Sequence, residues 1–207
     1  MGVTLLLVIA TAVISFYAFN NAEIMSKWIF NPYLVKKKSQ YYRFVTSGFI
    51  HADIQHLVFN MFSLYFMGQY LEQFFEAWYG PLGILLFLGL YILAIIVSDI
   101  PTYLKHNNDY NYNGLGASGG VAAVIFSLIL IAPTNKIYIY FIPMPSIVFG
   151  ILYLVYSYYQ GKRGGDNINH DAHFYGALFG VAYTIAIQPA VVVMFIDQLT
   201  HWNGKLF

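Results

Sequence analysis

The chain has no cysteine, which excludes disulfides, thiolate metal sites and a cysteine nucleophile, and leaves the redox compartment open. Charge is almost as scarce: 9% of its 207 residues are Asp, Glu, Lys or Arg, where a soluble domain averages about 25%. That is too little charge to keep the surface of a water-soluble domain wet, so the solvent is lipid and a bilayer is the expected partner. Ten Lys and Arg against nine Asp and Glu leave a formal net charge of +1. No basic run is long enough to recruit nucleic acid. No His-Glu-x-x-His motif occurs, and His51 and His56 are wrongly spaced to share a zinc ion. No metal or other cofactor is expected.

What is present is apolar sequence, 59% hydrophobic by composition. A spanning helix needs about 17 to 25 mainly apolar residues. Six segments approach that: Val3–Phe19 and residues 54–71, 81–97, 117–132, 147–159 and 172–188. In hydrocarbon the backbone amides must pair within the segment, which predicts helices. The first segment is preceded by no Lys or Arg and followed by no small-residue cleavage site, so it is expected to be a retained span and no secretory signal. Residues 20–50 are rich in Lys and aromatics, among them Trp28, Tyr33, Tyr41 and Tyr42, a composition that favours the membrane surface. Residues 100–116 read as a polar loop, and residues 161–170, with Gly161, Gly164 and Gly165, as a mobile one. Residues 191–196 read as a short interfacial segment. There is no internal repeat, and the whole is expected to be one membrane domain.

Polar groups inside apolar spans are functional hypotheses by default, and three sets stand out. His56 and Asn60 lie four residues apart, about 40° apart on one helix face, where both can donate to a common point. An interhelical hydrogen-bonding pair worth on the order of 1 kcal/mol is an equally good reading of that spacing. Gly114-Leu115-Gly116-Ala117-Ser118-Gly119-Gly120 leaves the Ser118 hydroxyl unobstructed at the start of a helix, where free amides can hold an anion. A small-residue packing seam explains the same glycines. Asp171-Ala172-His173-Phe174-Tyr175-Gly176, with Gly180 beyond, sets an imidazole one turn from a close-packing motif. If the helix packed there is the fourth, His173 reaches Ser118 and can serve as its general base. Asp171 is two residues from His173 and projects to another face, so the arrangement is a dyad without a carboxylate. His170 is a rival base, and His106 and His201 are expected to be solvated. Gly164-Gly165-Asp166 has no partner Asp in a span, which argues against aspartyl chemistry.

The order His51, His56-x-x-x-Asn60, Gly116-Ala117-Ser118-Gly119, Ala172-His173-x-x-Gly176 resembles the rhomboid family of intramembrane serine proteases, most strongly over residues 41–188. Tyr42-Arg43 and Gly68-x-x-x-Glu72 are similar to that family's first-loop pair and to the pattern ending its second helix. The resemblance implies an all-α, six-transmembrane-helix bundle around a water-filled cavity. It implies Ser118 as nucleophile, His173 as base, and an oxyanion site formed by the Ser118 amide with the His56 and Asn60 side chains. It assigns structural support to His51, Arg43, Glu72, Gly116, Gly119, Gly176 and Gly180. Substrates would be membrane proteins cut in or near a transmembrane segment, and residues 161–170 would gate their entry. The location would be the bacterial inner membrane.

Two departures from that family's pattern matter. An aromatic usually stands four residues after the serine and packs on the histidine; here the position is Ala122, so support must come from elsewhere, with Phe126 and Tyr175 as candidates. Eight of the ten cations (Lys27, Lys36, Lys37, Lys38, Arg43, Lys105, Lys162 and Arg163) fall in loops one, three and five, and only Lys136 and Lys205 on the other side. The charge rule puts those loops in the cytoplasm, whereas the resemblance faces them outward. The alternatives are a catalytically weak relative that binds membrane clients and a small transporter; the latter calls for inverted repeats that the sequence lacks.

Overall fold

Four of the helices begin where an Asn or Asp side chain accepts the amide hydrogen of the residue three further on: Asn21 from Ile24 at 3.0 Å, Asn31 from Leu34 at 2.8 Å, Asp53 from His56 at 2.7 Å and Asn169 from Ala172 at 3.0 Å. Such caps satisfy amides that have no partner inside the helix. Pro32 and Pro81 open two helices, where the missing N–H costs nothing. Gly80 and Gly164 end two, at φ 59° and 61°, a backbone conformation only glycine adopts without strain.

The structure, a computed structural model, describes residues 2–139, 142–166 and 168–202. In chain order the helices are α1 (Val3–Phe19), α2 (Ala22–Trp28), α3 (Pro32–Lys38), α4 (Arg43–Thr46), α5 (Ile54–Tyr79), α6 (Pro81–His106), α7 (Ser118–Ile131), α8 (Ser146–Arg163), α9 (His170–Ile187) and α10 (Ala190–Thr200). A 3-10 turn, Ser47–Phe49, follows α4, and an antiparallel hairpin of β1 (Lys136–Ile139) and β2 (Ile142–Pro145) joins α7 to α8. The long helices α1, α5, α6, α7, α8 and α9 correspond to the six apolar segments of the sequence.

Three boundaries differ from expectation. The polar loop expected from residue 100 begins only at Asn107, because α6 continues through Pro101. Its last turns are held from outside: Thr102 donates to Asn169 at 3.1 Å and Tyr103 packs on Phe44. Helix α8 runs on through Gly161 to Arg163, with Gly161 lying against the Asp171 side chain. The loop expected over 161–170 is therefore shorter, between Arg163 and His170, and Asn167 lies outside the described residues. The hairpin was not expected at all. Lys205, counted above in the charge bias, also lies outside the described residues.

Helix α7 is the hub. Eleven of its residues, from Gly119 to Ile131, are buried, and it packs against α5, α6, α8, α9 and α10. The outer helices are apolar on both faces. Along α5, Leu57, Met61, Leu64, Leu71 and Phe75 face the core, while Val58, Phe59, Phe62, Phe66 and Tyr70 are exposed. A helix that is hydrophobic all round belongs in lipid. By length and apolar content alone α6 can cross a bilayer, as can α9 and α10 taken together, bent by 112°; α1 and α7 are shorter apolar helices.

The first helix is anchored by one carboxylate. Glu72, buried on α5, accepts from the amides of Val3 at 2.6 Å and Thr4 at 2.9 Å, so its charge sits at the positive end of α1. Four residues earlier Gly68 lies against Thr4, where a methyl group would come within 2.8 Å. Truncation in Glu72→Ala strands two α1 amides, at a cost of about 1 to 3 kcal/mol for unsatisfied buried groups. Thermal unfolding in detergent should show that loss; unchanged stability would mean that α1 is held by packing alone.

Candidate active site

Glycine brings α7 and α9 into backbone contact. A Cβ on Gly176 would fall on the carbonyl oxygen of Gly119, and one on Gly180 on that of Ala123. Polar groups lock the same seam: Thr184 Oγ1 donates to Ser127 Oγ at 2.8 Å, and Ser127 Oγ lies 2.8 Å from the Ala123 carbonyl and 3.1 Å from that of Gly180. Ser118 precedes Gly119 by one residue and His173 precedes Gly176 by three, so the seam carries both to the same end. They line one cavity of about 900 Å³, with His56 of α5 as a third wall. The condition set by the sequence, that α9 packs on the serine's helix, is met.

The depth of the cavity follows from helix length. Helix α7 has 14 residues, about 21 Å at 1.5 Å per residue, against roughly 30 Å of hydrocarbon. With its far end at one interface, its first residue, Ser118, lies below the other. The cavity is lined by Asp53, Asp109, Asn111, Asn113 and Asp166 along with the histidines, so water can reach that depth.

Each residue singled out in the sequence has a defined place. Gly116, at φ 114°, presents its α-carbon to the His56 ring, where a methyl group would sit 2.6 Å from a ring carbon. His51 is fully buried between three segments. Its Nε2 accepts from the Ala117 amide at 3.4 Å, so the proton is on Nδ1, which donates to Ser15 Oγ at 3.0 Å; Ser15 in turn donates to the Phe49 carbonyl at 2.9 Å. Desolvation, with the neighbouring His56 adding to it, lowers the His51 pKa to about 3. Arg43, also buried, donates to the Ser26 and Ile29 carbonyls at the end of α2 and to Gln40. The first loop is thereby folded up and stitched to the serine loop, through paired Phe30 and Gly114 bonds of 2.9 Å and the Gly116 amide to Ser47 at 2.9 Å. Asn60 is buried, and its amide nitrogen donates to the His56 carbonyl of its own helix at 3.0 Å; it stands behind the cavity wall.

The remaining acidic and imidazole groups sort themselves. Asp171 pairs with Lys105 at 3.4 Å, away from His173. His170, 3% exposed, is bonded through Nε2 to Asp166 at 3.0 Å, and that bond holds the Asp166 carboxyl below its ordinary range. His201 is exposed as expected, whereas His106 is partly covered, stacked 3.9 Å from the Tyr112 ring. Among the described residues no carboxylate bonds to His173, and no hydrogen bond joins its ring to Ser118. Such bonds are often long before substrate arrives.

Three contributors escaped the sequence reading. Tyr153 of α8 stacks on the His173 ring, centroids 6.1 Å apart and planes 25° from parallel. Asn169 caps α9 and is itself held by Thr102 at 3.1 Å and Asp99 at 3.4 Å. Ser15 fixes the His51 tautomer. An Asn immediately before a helix was a readable signal; the other two are contacts across the fold with no local signature. Of the two aromatics proposed to support His173, Phe126 touches Tyr153 and Tyr175 faces outward beside Phe174.

Residues 38–190, which include Arg43, His51, His56, Asn60, Ser118, Tyr153, Asn169 and His173, match the Rhomboid domain. The chain belongs to the rhomboid family. It is 30% identical over 158 residues to RHOMBOID-like protein 12, mitochondrial, of Arabidopsis thaliana, covering 68% of the chain and 45% of that relative. It is 28% identical over 141 residues to the human Presenilin-associated rhomboid-like protein, mitochondrial, covering 66% and 35%. It is 26% identical over 197 residues to Rhomboid-related protein 1 of Caenorhabditis elegans, covering 90% and 50%. The chain thus spans half or less of the length of these rhomboid relatives. Membership makes it an all-helical membrane protein. Two of the three relatives are named mitochondrial, so the likeness carries residence in a membrane and not the bacterial inner membrane expected above.

The state of His51 sets a pH dependence. The unfolded chain takes up this proton near 6.5, the folded chain only near 3. Where the unfolded state binds more protons, stability rises with pH, so the His51 contribution is full above pH 6.5 and is lost progressively towards pH 3. Unfolding free energy measured across that window should fall less steeply in His51→Gln than in the parent. Parallel slopes would show that His51 is not buried as a neutral ring.

Proposed function

We propose that this rhomboid is an intramembrane serine endopeptidase that cuts other membrane proteins in or beside a transmembrane segment, with Ser118 as nucleophile and His173 as base. The observation that carries the reading is the convergence of Ser118, His173 and His56, from three helices, on one water-accessible cavity.

The chemistry follows from the positions. His173 takes the Ser118 hydroxyl proton as Oγ bonds to the scissile carbonyl carbon. Negative charge then builds on the carbonyl oxygen. Ser118 is the first residue of α7, so its amide has no partner inside the helix, and the helix dipole favours an anion there. The His56 ring, held against Gly116, is the further donor; Asn60, its amide nitrogen bonded to the His56 carbonyl, braces that turn of α5. His173 next gives its proton to the departing amine as the C–N bond breaks. Water, activated by the same imidazole, hydrolyses the ester left on Ser118. No cofactor enters these steps.

The test is cleavage of a transmembrane reporter by the purified chain in liposomes. Ser118→Ala and His173→Ala should abolish cutting with folding intact. His56→Ala removes one oxyanion donor, and kcat should fall by about 10²- to 10³-fold. A Ser118→Ala variant that cuts as well as the parent would end the protease reading. A parent that retains the reporter without cutting it would make the chain a client-binding relative.

A further inference from the structure

With Ala122 where an aromatic could have stood on α7, His173 would lack a stacking partner from the serine's own helix. The structure supplies one from a different helix. Tyr153 of α8 lies nearly parallel to the imidazole, 6.1 Å away, within the range in which aromatic rings attract. Its other neighbours are rings as well: Phe126 of α7 at 5.5 Å and Phe149 of α8 at 5.7 Å. The space it uses comes from small residues, since Ala122 and Ala177 belong to the same cluster, and Gly150 lets α8 approach Ile129 and Phe126 closely. No carboxylate bonds to His173 among the described residues; its ring lies between the His170 ring, edge-on at 5.8 Å, and the Tyr153 ring, the one that stacks on its face.

We infer that Tyr153 is a positioning residue for His173, holding the imidazole plane in the orientation that faces Ser118. The inference rests on the protease reading for its kinetic consequence, but the contact itself does not. It also ties the base to α8, the long helix with the thinnest seam: only Ser146, Gly150 and Ser157 of its described residues are buried, while Ile151, Leu152, Val155 and Tyr156 are exposed. A displacement of α8 takes the stack with it, so the base is oriented only while α8 is docked.

The experiment compares Tyr153→Phe, which keeps the ring, with Tyr153→Leu, which keeps apolar volume and loses it. Tyr159→Leu, exposed further along α8 and without contact to either histidine ring, is the control. In the reporter assay Tyr153→Leu should lower kcat by roughly 10- to 100-fold, the scale of a displaced catalytic group, with KM within about twofold. Tyr153→Phe and Tyr159→Leu should stay within about threefold of the parent. The second readout is independent of turnover: carbon-13 shifts of the His173 ring, in histidine-labelled protein, should move in Tyr153→Leu and hold in Tyr153→Phe. If Tyr153→Leu keeps both the parental kcat and the parental ring shifts, or Tyr153→Phe loses as much as Tyr153→Leu, the inference is overturned. A parent that cuts nothing while the ring shifts respond as stated sinks the protease reading and leaves the contact standing.

Discussion

Everything at the candidate site hangs on how closely α7 and α9 approach. Gly176 on Gly119 and Gly180 on Ala123 leave no room for a side chain on the α9 side of the seam. In lipid there is no hydrophobic drive to pull two apolar helices together, so association depends on close van der Waals fit and on hydrogen bonds across the gap. This seam has both, through the four small residues and through Ser127 and Thr184. Because helical side chains repeat every 3.6 residues, the contact that fixes Gly119 and Gly176 also fixes where Ser118 and His173 stand. A residue with a Cβ at position 176 would spread the helices and part the pair without touching either member.

A second layer orients what the seam brings together. Over its last residues, Gly114 to Ala117, the loop leading to Ser118 is held at three points, by Phe30 at Gly114, by Ser47 at Gly116 and by His51 at Ala117. All three come from the first loop or its edge, which explains why a loop so rich in Lys and aromatics is folded into short helices over the site. Buried Arg43 organises that loop by taking carbonyls at the end of α2, a use of charge that matches the helix dipole. On the other side, Asn169 caps α9 while leaning on Thr102 and Asp99 of α6. The serine is thus steadied from the first loop and the histidine from α6 and α8.

What the sequence disclosed follows the reach of each interaction. Val3–Phe19 matched its apolar run at both ends, and α7 and α9 matched within two residues, because proline, glycine and polarity act locally. Helix α6 outran its expected end because Thr102 and Tyr103 are held by residues far away in sequence, an effect no window on Pro101 contains. The hairpin after α7 lay hidden in a stretch too short to show alternation. At the site, Ser118, His56 and His173 were legible as types at recognisable spacings, and the structure brings them to one cavity. Tyr153 was not legible, since α8 carries several tyrosines and only packing distinguishes the one that turns inward. Asn60 was read as an oxyanion donor beside His56; its amide nitrogen donates to the His56 carbonyl of its own helix.

The central claim is that Ser118 is a serine activated by His173. Mapping a fluorophosphonate adduct by mass spectrometry tests it without any substrate. The account predicts a single modified peptide carrying the phosphonyl group on Ser118, and loss of labelling when His173 is replaced by Ala. Labelling at another residue, or undiminished labelling of Ser118 without His173, would contradict it.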